Sequence, residues 1–217
     1  MTQQTQPDGF LATPPAGTGA GVLVLHPWWG LNNTIKTFCN RLAEAGFVVF
    51  APDLYHGKIA TTIPEAEALA NALDGNAAAA EIAEAVGFLG KHLEPTGRPV
   101  AVVGFSLGAY FALALSAADP QHIHAVVIFY GTGPEDFSNS QAEYLGHFAE
   151  TDEFEPPENV AGLEAALQRA GRPVTIHTYP GTGHWFFEPD VEQAYNPSAA
   201  ELAWERTLAF LKRSSAA

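Results

Sequence analysis

The chain has 217 residues, 47% of them hydrophobic and 16% charged, a balance that suits one packed domain and excludes a disordered chain. Its 10 Lys and Arg against 24 Asp and Glu give a formal net charge of −14, which repels phosphate backbones and anionic lipid and so argues against nucleic-acid and membrane partners. The single cysteine, Cys39, excludes an intrachain disulfide.

The opening stretch MTQQTQPDGF has neither a basic n-region nor an apolar h-region, and no apolar run is long enough to span a membrane. A cytoplasmic protein is the expectation. Residues 1–19 are polar and rich in Gly, Pro and Thr, and read as an extended tail or surface-hugging segment. Residues 20–217 read as a single domain, with no repeat and no linker. GVLVLHP (21–27) is a buried strand ended by Pro27. The following NNTIKTFCNRLAEAGF predicts a helix capped by Asn33 or Thr34, with Ile35, Phe38, Leu42 and Ala45 on its apolar face and Gly46 as its stop. Cys39 falls on this helix as a packing residue.

FVVFAPD (47–53) is the next strand. From Pro64 to about Leu93 the chain is alanine-rich and helical, with a break near Asp74-Gly75. PVAVVGF (99–105) is a strand without polar alternation, which suits a sheet covered on both faces, and SLGAYFALALSAAD (106–119) is a helix. HAVVIFYG (124–131), YLGHFAE (144–150) and PVTIHTYPG (173–181) are further strands, and helices are predicted near 158–170 and 199–213. Strands alternating with helices imply an α/β fold, a mostly parallel sheet with helices on both faces. In such sheets the ligand site lies beyond the carboxyl ends of the strands.

Ser106 stands at one of those ends, in VVGFSLGAY, between a predicted strand and a predicted helix. That is the setting of a nucleophile elbow, in which glycines at 104 and 108 let strand and helix approach each other. A serine hydroxyl is a weak nucleophile near pH 7 and needs a base within hydrogen-bond reach and an acid to orient that base. His184, on a loop after the last predicted strand, is the candidate base. His177 alternates within that strand and reads as structural; His122, His124 and His147 lie on or beside strands, and His56 and His92 read as exposed. Asp152, just past the end of YLGHFAE, is the candidate acid, with Glu150 the alternative. The Leu107 N–H is the candidate first oxyanion donor, and Trp28 N–H, on the loop HPWWGLN, the candidate second. Trp28, Trp29 and Trp185 are candidate walls of an apolar substrate pocket, and His26 a candidate brace for the loop.

With these stretches in view, the chain resembles the dienelactone hydrolase family of the α/β-hydrolase fold. The resemblance runs over nearly the whole chain and rests on HPWWGLN, VVFAPDLYHGK, VVGFSLGAY, AETDEFEP and GTGHWFF. It implies the triad Ser106, Asp152 and His184, and a hydrolase of small esters or lactones that needs no metal and no cofactor. It also implies a monomer. Three departures stand out. Well-known members carry cysteine where this chain has Ser106, and a glutamate in the early loop where this chain has Pro27. The arginines that hold a substrate carboxylate are not evident; His56 and Lys58 stand in DLYHGK, and Glu188, four residues past His184, is expected to disfavour an anionic substrate. Two other readings of the same residues stay open: a catalytically silent small-molecule binder, and a thioester or short-peptide specificity. The lid is expected in 56–75 or in 132–142.

Overall fold

A computed structural model describes residues 6–93, 99–134 and 136–216. The chain divides into two compact units, residues 1–100 and 101–217.

In the first unit the strands β1 (Gly9–Ala12), β2 (Ala20–Leu25) and β3 (Phe47–Pro52) alternate with α1 (Asn33–Glu44), α2 (Ile63–Ala72) and α3 (Gly75–His92). The strand order is β1-β3-β2. β2 runs parallel to β3, with Ala20 opposite Phe47 and Leu23 opposite Phe50. All six residues of β3 are buried. Successive side chains on a strand point to opposite faces, so a strand buried at every position is covered on both. Helices α1 and α3 both pack on it, and Phe88 of α3 meets Phe50 with ring centroids 4.9 Å apart.

Two local expectations are corrected here. Residues 9–12 are no tail: β1 pairs antiparallel with β3, Gly9 opposite Pro52 and Ala12 opposite Val49. A four-residue edge strand is too short to show a period of two against its Gly- and Pro-rich surroundings. The cap of α1 is Asn32, whose side chain accepts the Ile35 N–H at 3.1 Å, not Asn33 or Thr34. The break in the alanine-rich stretch is where the sequence puts it. Asp74 caps α3 by accepting the N–H groups of Asn76 and Ala77. Thr62 and Glu65 form a reciprocal capping box at the start of α2. No helix among the described residues is long and apolar enough to cross a membrane.

In the second unit the elements are β4 (Val100–Phe105), α4 (Leu107–Ala118), β5 (Ile123–Phe129), β6 (Glu143–Ala149), α5 (Pro157–Arg169), β7 (Val174–Tyr179) and α6 (Pro197–Ser214). The strand order is β4-β5-β6-β7. β5, β6 and β7 run parallel, with Phe129 opposite His147 and His147 opposite His177. Parallel strands place their carboxyl ends along one edge. Ser106 follows β4, Tyr130 follows β5, Asp152 lies three residues past β6, and His184 five past β7.

His147 is the polar centre of this sheet. Fully buried on β6, it bonds the Tyr179 hydroxyl through Nδ1 at 2.7 Å and Thr207 Oγ1 of α6 through Nε2 at 3.0 Å. Burial first, and then the neighbouring His177 and Arg206, push its pKa well below the ordinary 6.5. The folded chain therefore keeps this imidazole neutral at a pH where the unfolded chain protonates it. Its contribution to stability is present above pH 6.5 and is lost as pH falls below that value. Unfolding midpoints of wild type and His147→Gln between about pH 8 and pH 5 test this. Below pH 6.5 the wild type is expected to lose stability faster than the variant, by up to ~1.4 kcal/mol per pH unit. Parallel curves would rule out a buried neutral His147.

Candidate active site

The turn after β4 is tight. A Cβ at Gly104 would collide with the Gly108 carbonyl oxygen, so the pair of glycines lets the start of α4 lie against the strand end. Between them Ser106 adopts φ 49° and ψ −110°, a left-handed conformation that costs a non-glycine residue about 1–3 kcal/mol and is retained where the surroundings enforce it. The surroundings are on β5 and just past it. Ser106 N–H donates to Phe129 O at 2.9 Å, and a Cβ at Gly131 would sit 2.6 Å from Ser106 O. The Leu107 N–H opens α4, where the first amides have no helical acceptor and the helix dipole is positive.

Ser106 Oγ lies 3.1 Å from His184 Nε2, and His184 Nδ1 lies 2.7 Å from Asp152 Oδ2. The His184 and Asp152 side chains are only 6% and 3% exposed. A carboxylate can only accept, so Nδ1 carries the proton and Nε2 presents its lone pair to the serine hydroxyl. Asp152 Oδ1 accepts the N–H groups of Phe154 and Glu155, both at 2.9 Å, which folds the turn that follows it. Glu150 is engaged elsewhere, accepting the Gly181 N–H at 2.9 Å. Of the other histidines, His26 is buried in the first unit. Its Nδ1 donates to Pro27 O at 2.7 Å and its Nε2 accepts the Leu54 N–H at 3.2 Å, which braces the 26–32 loop against the 53–60 segment. Trp28 and Trp29 lie on that loop, within the first unit, with rings edge to face at 5.4 Å.

The imidazole is held between aromatic rings. Tyr130 stands 4.9 Å from His184 by ring centroids, and Phe154 stands 5.1 Å from it. Trp185, at φ 64°, meets both His184 and Phe154 at 4.9 Å. A cavity of about 510 Å³ opens beside His184, walled by Thr151, Glu153, Phe154, Trp185 and Tyr195 among others, with no Lys or Arg in its lining. Among the described residues, no group of three or more His, Cys, Asp or Glu side chains is placed to hold a metal ion.

This chain matches the dienelactone hydrolase family over residues 8–215. The chain belongs to that family. It is 35% identical over 214 residues to Protein usf of Aquifex pyrophilus, covering 94% of this chain and 92% of that one. It is 32% identical over 213 residues to an Aquifex aeolicus protein provisionally named a carboxymethylenebutenolidase, again covering 94% and 92%. A crystal structure from Klebsiella pneumoniae, provisionally titled a dienelactone hydrolase, superposes with a TM-score of 0.82 at 24% identity, over 93% of this chain and 91% of that one. The fold is that of the α/β-hydrolases, and membership makes the protein an ester-bond hydrolase.

Glu188 overturns one expectation. It presents no charge to a substrate, because it is fully buried and accepts the Tyr130 hydroxyl at 2.7 Å. Burial raises its pKa from 4.5 to about 8, with Asp190 adding to the rise. Tyr130 and Phe154 carry no motif that singles them out in the sequence. The signal available for Tyr130 was its position, directly after a strand that ends beside the nucleophile turn. Between pH 4.5 and about 8 the folded chain holds a proton on Glu188 that the unfolded chain has released. Stability from this group is full below 4.5 and drains as pH rises to about 8. Glu188→Gln keeps an acceptor for Tyr130 and removes the titration. Thermal unfolding is expected to show the variant gaining on wild type as pH rises from about 5 to 8, by up to ~1.4 kcal/mol per unit; a constant offset would mean that Glu188 is ionised in the fold.

Proposed function

We propose that this protein is a serine-dependent hydrolase of small neutral esters and lactones, acting through an acyl-enzyme on Ser106. The observation that carries the reading is the unbroken run of contacts from Ser106 Oγ through His184 to Asp152. Each role follows from it. His184 Nε2 removes the serine proton as Oγ attacks the carbonyl carbon, and Asp152 stabilises the imidazolium that forms. The oxyanion develops at the start of α4, where Leu107 N–H donates to it. His184 then protonates the leaving alcohol. A water, deprotonated by the same imidazole, attacks the ester carbonyl and frees Ser106.

The substrate class rests on charge. The cavity beside His184 has no cationic side chain in its lining, and the chain carries a net charge of −14, so a carboxylate-bearing substrate lacks a counter-charge on the imidazole side of the site. A neutral ester or lactone needs none. Intact-protein mass spectrometry after a fluorophosphonate probe tests the nucleophile. One adduct is expected on wild type and none on Ser106→Ala. Turnover of neutral esters should fall by ~10³-fold or more in Ser106→Ala and His184→Ala, with the fold intact by circular dichroism. A folded, accessible wild type without an adduct would remove Ser106 as the nucleophile.

A further inference from the structure

Glu155 has no part in the reaction just described, yet its carboxylate bonds the acid loop to the end of β5. Oε2 accepts the Thr132 N–H at 2.7 Å and Oε1 accepts the Thr132 hydroxyl at 3.0 Å. Both residues are half-buried. Two donors of one residue on two oxygens of one carboxylate is a directional grip, and an ionised acceptor roughly doubles the strength of each bond over a neutral pair. The grip joins two segments that are 23 residues apart.

Each segment also carries part of the site. On one side, Asp152 Oδ1 accepts the Glu155 N–H itself at 2.9 Å, while Oδ2 meets His184. On the other, Thr132 follows three residues that touch the site. Phe129 O accepts the Ser106 N–H, Tyr130 lies on His184, and Gly131 packs against Ser106 O. The contacts therefore close a ring: Ser106, the 129–132 segment, Glu155, Asp152, His184, and back to Ser106. Glu155 to Thr132 is the one link of that ring made by side chains that neither react nor wall the imidazole. It also places a second carboxylate three residues from Asp152 in an acidic chain, an arrangement that repels unless donors hold it.

We propose that Glu155 is a positioning residue for hydrolysis: its grip on Thr132 fixes the distance between the acid-bearing turn and the nucleophile turn, so that His184 meets Asp152 and Ser106 at once. The proposal rests on the hydrolase reading above. With the link cut, the 152–155 turn is free to drift from the 129–132 segment, and the imidazole follows Asp152 away from Ser106. Thr151, Glu153 and Phe154 of the same segment wall the cavity beside His184, so KM responds as well, but less than kcat. The expected loss is in kcat, since misplacement of about 1 Å costs up to ~10²-fold.

The test compares wild type, Glu155→Ala, Glu155→Gln and Thr132→Val by kinetics on p-nitrophenyl acetate and by the downfield proton resonance of the His184 Nδ1–H. Glu155→Ala is expected to lower kcat by ~10- to 100-fold with KM changed less than about twofold, and to shift or broaden the Nδ1–H signal. Glu155→Gln can accept the Thr132 N–H through its oxygen and donate to the Thr132 hydroxyl through its nitrogen, so it should stay within about threefold of wild type. Thr132→Val removes only the hydroxyl bond and should fall between the two; it also serves if Glu155→Ala does not fold. Wild-type kcat and an unmoved Nδ1–H signal in Glu155→Ala would overturn the proposal, as would Glu155→Gln failing as badly as Glu155→Ala. If wild type turns over no ester, the hydrolase reading fails, and the resonance still decides whether Glu155 positions His184.

Discussion

The candidate site depends on how one carboxylate is divided. Asp152 commits Oδ1 to the backbone of the turn that follows it and Oδ2 to His184 Nδ1. The fold of the acid loop and the orientation of the base are thus set by the same group. A longer side chain at 152 would reach the imidazole from a different turn. Because the side chain is almost wholly buried, its bonds act in a medium of low effective dielectric, where a fixed hydrogen bond is strong and a lost one is costly. The serine turn, strained by its positive φ, is held from β5 by Phe129 and Gly131, so the nucleophile and the acid are each fixed by backbone before they meet through the imidazole.

Several buried polar groups elsewhere are satisfied in the same way, by dividing their atoms among partners. His147 joins Tyr179 and Thr207. The Tyr144 hydroxyl lies between Ser116 and Ser140, at 2.8 and 2.6 Å. His26 uses both ring nitrogens on backbone groups. Glu188 departs from the pattern. One of its oxygens holds Tyr130 while the other is buried without a hydrogen-bond partner. A carboxylate so placed keeps its proton, since burial penalises the charge more than the single bond to Tyr130 stabilises it.

The order of strands and helices was legible because each strand is a short apolar run between turn residues, and each helix has a cap or a glycine stop near its end. Ser106 and His184 were legible because a tight glycine turn between strand and helix, and a glycine loop after the last strand, are local patterns. Asp152 could be separated from Glu150 only as the shorter acid beyond the strand; the structure shows Glu150 turned to Gly181. β1 was missed because an edge strand of four residues gains its stability from β3, which lies some forty residues further on. The bonds from Glu155 to Thr132 and from Tyr130 to Glu188 span 23 and 58 residues. Neither periodicity nor composition encodes such pairs, since they exist only once the strand ends share an edge. Glu188 shows the converse risk: an acid beside a catalytic motif looked like a charge toward substrate, and burial made it a neutral brace.

Cys39 lies fully buried in α1, and burial pushes its thiol far above the range in which thiolates form in water. It is also the only cysteine in the chain. The protein is in effect silent to thiol reagents while folded. A Ser106→Cys chain would restore the nucleophile carried by well-known members of the family, and its new sulfur would be the one thiol open to alkylation. Reagent uptake would then count competent sites directly, without subtraction of a background, and uptake of a second equivalent would report unfolding of α1.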